Sequence, residues 1–273
     1  MPATPKTSID SEQPLHKLTS LIWNECSDFV KAYRNTNLVL YRGIGRGATA
    51  PPIFKSAPRG DRNPMTSSRL LQEIYDNYLL RKGIKATRQN SIFTTSDKSQ
   101  ADEYGDLFII FPCNGTPFSW SQTQSDVILD TSDLLNPKIV REIALDVRDH
   151  NTLGKPIPAF WKKWGAKPNG HLADAAYVMC KMDFKSMMYD IAAAGLPVAK
   201  KLSLNMLTNS AAIEEQFAPS GDNMDRAVMS GHEVLIGGPY YGVKLTHAKA
   251  LLFDLGIKVT RAPMDDLEAD ETW

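Results

Sequence analysis

Apolar positions from Leu15 to about Tyr33 recur at helical spacing, at Leu18, Leu21, Ile22, Cys26, Phe29 and Val30, and predict a first helix. "NLVLYRG", 37–43, is a short apolar run ending in Arg-Gly and reads as a strand, and "GIGRGATAPP" after it is a turn-rich loop. A second helix is expected over 66–83. Leu70, Leu71, Ile74, Tyr78 and Leu79 form its stripe, Thr66, Ser67 or Ser68 caps it, and Gly83 stops it. "SIFTTS" then predicts a strand, 97–105 a short helix closed by Gly105, and "LFIIFP", 107–112, a buried strand cut off at Pro112.

The second half is less regular. Residues 118–148 are mixed, with strands expected at 126–129 and 139–147, and 149–170 read as a loop rich in Pro, Trp and Lys. From His171 to Phe217 the pattern is mainly helical, and 218–231 are polar and turn-prone. "HEVLIGG" and "YYGVKLT" are strands, and "HAKALLFDLG" is a last helix. Residues 1–14 are expected to be disordered and 263–273 to form a solvated acidic tail. There is no internal repeat and no regular βαβ alternation, so the pattern favours an α+β domain over a doubly wound sheet.

Composition narrows the functional classes. The 273 residues are 42% hydrophobic, enough for a real core in one large domain or two small ones. Lys+Arg and Asp+Glu are both 31, so no whole-chain electrostatic grip on nucleic acid or an anionic membrane is indicated. Cys26, Cys113 and Cys180 are widely spaced, which predicts neither zinc nor a disulfide framework and fits a reducing, cytosolic protein. No signal peptide is read at the start, no run reaches the ~18 apolar residues of a membrane span, and no metal site is visible. The glycine-rich 43–52 stretch lacks the Walker pattern, and no GxSxG elbow is present. Glu214 and Glu215 are neighbours that point apart on a helix, so they are poor joint ligands. "FWKKWGAKPNGH", 160–171, mixes aromatics with cations, but reads more simply as a solvated loop with two buried tryptophans.

Three stretches place a chemically useful residue at an end of an apolar strand: Arg42 in "LVLYRG", Thr94-Thr95-Ser96 in "IFTTS" and Glu233 in "GHEVLI". Taken singly, Arg42 reads as solvated, Ser96 or Asp97 as a helix cap, and Glu233 as a surface carboxylate. Taken together and in this order, they resemble the ADP-ribosyltransferases of the arginine–serine–glutamate class, the group that includes cholera-toxin-like enzymes. Arg42 matches the first-strand arginine. Phe93-Thr94-Thr95-Ser96 matches the hydroxyl motif, with Thr94 where serine is usual, and Glu233 matches the catalytic glutamate. The resemblance covers about 38–118 and 228–245, including the helix-then-strand context of "DKSQADEYGDLFIIFP".

The resemblance implies a largely antiparallel split sheet with flanking helices over 15–262, and a mainly helical insertion at about 119–227. It implies NAD as substrate. Arg42, with Gly43, Thr95 and Phe93, is then expected at the dinucleotide, the guanidinium fork pairing with diphosphate oxygens. Phe93 either stacks on nicotinamide or packs in the core, and the core is preferred. Glu233 is expected to steady the cationic ribose of an oxocarbenium-like transition state, with Thr94 or Ser96 donating a hydroxyl hydrogen bond that fixes its rotamer. Asp126 and Glu142 stand in reserve for the acid. Many arginine-modifying members carry a second glutamate where this chain has Gly231, so a different protein acceptor, a nucleic-acid acceptor or plain NAD hydrolysis stays open. "RQNSIFTTSDKSQADEYG" with "FIIFPCNGTPFSWS" also resembles ADP-ribosyltransferase-like proteins of tailed bacteriophages. That implies action in a bacterial host's cytoplasm after delivery by the virion, or alternatively a catalytically silent virion or host-binding protein.

Overall fold

The computed structural model describes residues 7–9, 15–45, 50–60, 69–125, 134–136, 138–139 and 208–259. Within these, six helices and nine strands form an α+β arrangement around one antiparallel sheet. The helices are α1 (Leu15–Thr36), α2 (Arg69–Arg81), α3 (Lys98–Asp102), α4 (Ser210–Phe217), α5 (Met224–Met229) and α6 (Leu245–Asp254). The strands are β1 (Thr7–Ser8), β2 (Leu40–Ile44), β3 (Ile53–Ser56), β4 (Ile92–Thr95), β5 (Asp106–Pro112), β6 (Phe118–Ser121), β7 (Pro219–Ser220), β8 (Glu233–Ile236) and β9 (Tyr240–Lys244).

The sheet order is β1-β3-β9-β5-β2-β4-β8-β6-β7. Phe108 to Phe111 of β5 are all at most 1% exposed, which is why that strand reads as an unbroken apolar run rather than an alternating one. β5 pairs with β2 through five residue pairs, Leu40↔Ile110 to Ile44↔Asp106. In contrast, β2 meets β4 through one pair, Tyr41↔Thr95. The ladder therefore falls into a five-strand and a four-strand part that touch at this narrow junction.

Helix α1 buries the stripe its spacing predicts, and kinks at Cys26 (φ −130°, ψ 22°). Tyr33 donates its hydroxyl to the carbonyl of Ile110 at 2.5 Å, and Phe29 packs edge-on against Phe118. Each large apolar side chain sealed in this way contributes about 1.5–3 kcal/mol, against about 1 kcal/mol for a hydrogen bond, so packing decides where the helix lies. Asp97 caps α3 by accepting from the backbone N–H groups of Ser99 and Gln100.

Several elements depart from the sequence expectations. Thr7–Ser8, in the segment expected to be disordered, pair with Phe54 and Lys55 as a short edge strand. β3 lies in "PPIFKS", for which no strand was expected, and α5 lies in the stretch expected to be turns. β7 and α4 fall inside the expected insertion and β6 and α5 overlap its two ends, and β6 and β7 belong to the sheet. The strand expected at 126–129, the loop at 149–170, the helices before 208 and the 263–273 tail lie outside the described residues. So does the strand expected at 139–147 apart from Ile139, which is helical. No helix among the described residues is long and apolar enough to cross a membrane.

Candidate functional site

The three stretches singled out in the sequence lie on neighbouring strands; Thr95 and Glu233 are at strand ends, whereas Arg42, expected at one, is the middle residue of β2 because pairing with β5 continues to Ile44. Antiparallel registers align Tyr41 with Thr95 and Thr95 with Glu233, so β2, β4 and β8 present these residues in one line across the ladder. Strand alternation places Thr94 beside Val234 and turns Arg42 to the other side of β2 from Tyr41. Tyr41, Thr95 and Glu233 thus share one face of the ladder, and Arg42, two strands from Glu233, is turned to the other face.

The hydroxyl motif acts on backbone. Thr94 donates to the carbonyl of Val234 at 2.8 Å, and Thr95 donates to the carbonyl of Gly231 at 2.7 Å while accepting from the N–H of Asp97 at 3.0 Å. Both threonines therefore stitch β4 to the strand that carries Glu233 and to the turn before it. Thr94 was expected to hold the glutamate's carboxylate, but its hydroxyl is committed to Val234 instead. The reason is register: Thr94 faces Val234 across the ladder, and Thr95 is the residue opposite Glu233. Ser96, the other expected donor, is buried at the end of β4.

The group that holds the Glu233 carboxylate is Arg88. Its Nη1 lies 3.0 Å from Glu233 Oε2, with the two side chains only 9% and 12% exposed. The same guanidinium stacks 4.6 Å over the ring of Phe93, so Phe93 serves as its platform. Arg88 is in turn fixed from α2. Asp76 accepts from the backbone N–H of Arg88 at 2.7 Å and of Gln89 at 3.0 Å, and Asn90 accepts from the N–H of Thr87 at 2.8 Å. Burial pushes the Asp76 carboxyl up to about 6, against the lowering effect of those two N–H donors. Tyr75 on the same helix is also buried and its phenol is pushed up, chiefly by that burial.

Arg42 stands differently. The residue is part-exposed as a whole, yet its Nη1 is sealed from solvent and is the one buried side-chain nitrogen or oxygen among the described residues without a hydrogen-bond partner. Burial pulls the guanidinium below the usual arginine value, and the nearby Tyr240 hydroxyl works in the opposite sense. A buried cation without an anion costs free energy that an incoming anionic group relieves. Gly43, expected beside the dinucleotide, is packed from above: a Cβ there would sit 2.2 Å from the carbonyl oxygen of Ala101 and 2.7 Å from Tyr104 Cβ. The glycine lets α3 lie against β2.

Two neighbours of Glu233 are settled by backbone geometry. His232 holds the carbonyl of Ser121 with Nδ1 at 2.8 Å, on the opposite side of β8 from the glutamate. Gly231 has φ +72°, a left-handed conformation that disfavours a glutamate at this position. A surface cavity of about 440 Å³ lies beside α3 between Ser99, Asp102, Glu103, Tyr104 and Gly105. Its two carboxylates make it a poor seat for a diphosphate, and neither Arg42 nor Glu233 lines it. The reserve candidates Asp126 and Glu142 lie outside the described residues. No group of three or more His, Cys, Asp or Glu residues suited to a metal ion occurs among the described residues.

Nothing in the sequence marks Arg88. It sits in the polar turn "KATRQNS", and its partner is 145 positions away. Comparison with protein-family models, with curated proteins and with solved structures returned no match for this chain.

Proposed function

We propose that the chain is an NAD-dependent mono-ADP-ribosyltransferase that cleaves the nicotinamide–ribose bond and passes ADP-ribose to a macromolecular acceptor. The observation that carries the reading is the buried, unpartnered Nη1 of Arg42, on the strand beside the one that faces Glu233. An anion completes that site, and a diphosphate suits the planar fork of a guanidinium. The register turns Arg42 and Glu233 to opposite faces of the ladder, so we place the dinucleotide through the narrow β2–β4 junction, with its diphosphate at Arg42 on one side and its nicotinamide ribose at Glu233 on the other.

In this reading Glu233 supplies the negative charge that steadies the ribose as the bond to nicotinamide breaks and the electron pair leaves with the ring. Its worth lies in being aimed before the charge develops. Arg88 supplies the aim, through the 3.0 Å ion pair, and Phe93 and Asp76 hold Arg88. The left-handed Gly231 disfavours the second glutamate of many arginine-modifying enzymes, so an acceptor other than arginine, or water, fits better.

One arrangement favours a second reading. Glu233 is engaged by Arg88 and Thr94 by Val234, as in a catalytically silent member of the same fold that binds a host or virion partner. Incubation of the protein with labelled NAD and a bacterial lysate separates the two. The transferase reading expects label in protein or nucleic acid, or free ADP-ribose, and a loss of about 10²–10³ in turnover for Glu233→Gln. Equal NAD consumption by wild type and variant removes Glu233 from the chemistry, and none by either supports the silent reading.

A further inference from the structure

Away from the glutamate site, the kink of α1 brings two cysteines together. Cys26 sits at the kink, fully buried, and donates its thiol to the carbonyl of Phe111 at 3.4 Å. Cys113 follows directly on β5 and is half-buried, with its backbone N–H on the carbonyl of Pro239 at 2.9 Å. The Cys26 sulfur thus meets the strand two positions before Cys113, and each thiol is the largest influence on the other's ionisation. We infer that Cys26 and Cys113 form a peroxide-sensitive thiol pair, a modification site that closes to an intramolecular disulfide.

The surroundings hold the two cysteines on adjoining backbone. Asn114, next to Cys113, spans the kink. Its Oδ1 accepts from the N–H of Asp28 at 3.1 Å and the hydroxyl of Ser27 at 3.3 Å, its Nδ2 donates to the carbonyl of Asn24 at 3.1 Å, and its N–H donates to the carbonyl of Glu25 at 2.6 Å. Residues 24–28 and 113–114 are therefore one clasped unit. A disulfide requires the two backbones to be close neighbours, and the hydrogen bond from Asn114 N–H to the Glu25 carbonyl, one residue from each cysteine, makes them so.

The roles of the two residues are unequal. Cys113 has access to solvent, and its thiol lies below its ordinary value, first through the neighbouring Cys26 thiol and also because Lys55 is near, with burial and Glu25 opposing. The thiolate is the reactive form. Cys113 thiolate attacks a hydroperoxide, the O–O bond breaks, and sulfur is oxidised to sulfenic acid while the alkoxide or hydroxide leaves. Cys26 then attacks that sulfur. The S–O bond breaks, the hydroxyl departs with the Cys26 proton as water, and the S–S bond forms. Cys26 is held far above an ordinary thiol by the neighbouring Cys113 and by burial. Conversion of Cys113 to a neutral sulfenic acid lessens the first of these causes, so the second step follows the first.

The experiment treats the native full-length protein with a small excess of hydrogen peroxide, quenches, alkylates under denaturing conditions and maps peptides by mass spectrometry. A Cys26–Cys113 cross-linked peptide is expected, about 2 Da lighter than its two thiol parts and reversed by dithiothreitol. Cys180 serves as the internal control and stays alkylatable. In Cys26→Ala, Cys113 is expected to accumulate as a dimedone-reactive sulfenic acid. Wild-type protein whose Cys26 stays fully alkylatable while Cys113 proceeds to sulfinate overturns the inference, as does cross-linking through Cys180. The wild-type readout needs no variant to fold, and it does not depend on NAD chemistry.

Discussion

Arg88 and Glu233 form an ion pair with both side chains about nine-tenths buried. Removing one partner of such a pair strands the other charge away from water, which costs about 3–5 kcal/mol, whereas removing both restores much of the loss. Arg88→Met alone is therefore expected to lower stability by that order, and Arg88→Met/Glu233→Gln to recover a large part of it. Urea unfolding of the two single variants and the double variant measures this coupling, and additive losses contradict it. Single residues were legible only where a local pattern framed them. Arg42 and Glu233 border apolar runs in the sequence and stand out for that reason, although the strand continues past Arg42 to Ile44. Arg88 does not, because an ion pair between residues 88 and 233 is made by the fold and leaves no local trace. Thr94 and Thr95 both spend their hydroxyls on backbone carbonyls instead of the Glu233 carboxylate, since composition shows hydroxyls at a strand end but not what they face.

At the scale of elements, α2 anchors the turn that aims Arg88, and it does so through a buried carboxyl. Asp76 is raised to about 6 in the folded protein, above the roughly 3.9 of an exposed aspartate. The folded chain therefore holds a proton there over a range where the unfolded chain has released it. This group's contribution to stability is highest below about pH 4, falls as pH rises through about 6, and is level above that, a total on the order of 2–3 kcal/mol. Asp76→Asn is expected to flatten that slope in urea titrations between pH 4 and 7, and an unchanged slope assigns it elsewhere. The long elements were legible because burial imposes a period: α1 and α2 by their stripes, β5 by its unbroken apolar run. β1, with Thr7 and Ser8, has no apolar pattern and exists through its pairing with β3. α5 is six residues long and depends on Asn223, a cap in the left-handed region, whose side chain accepts from Arg226 N–H.

For the whole molecule, irregular alternation of helices and strands was enough to indicate an α+β chain, but not the order in which the strands associate. That order brings β2, β4 and β8 together, although Glu233 lies 138 positions from Thr95 and its partner strand. Arg42 stores a cost in this arrangement, since its Nη1 is buried without a partner. Arg42→Met is accordingly expected to raise the melting temperature of the ligand-free protein. It is also expected to abolish the upward shift that millimolar NAD or pyrophosphate gives the wild type, because a ligand stabilises in proportion to its differential binding. Thermal unfolding reads both effects, and a variant that melts lower yet still responds to pyrophosphate contradicts the role assigned to Arg42.

The most direct test of one dinucleotide shared by Arg42 and Glu233 is steady-state NAD turnover by wild type, Arg42→Met and Glu233→Gln, with each variant first checked for folding. The account predicts that Arg42→Met acts mainly through a raised KM and Glu233→Gln mainly through a kcat lowered by about 10²–10³. Wild-type protein that turns over no NAD, or variants that turn it over with wild-type constants, would contradict it.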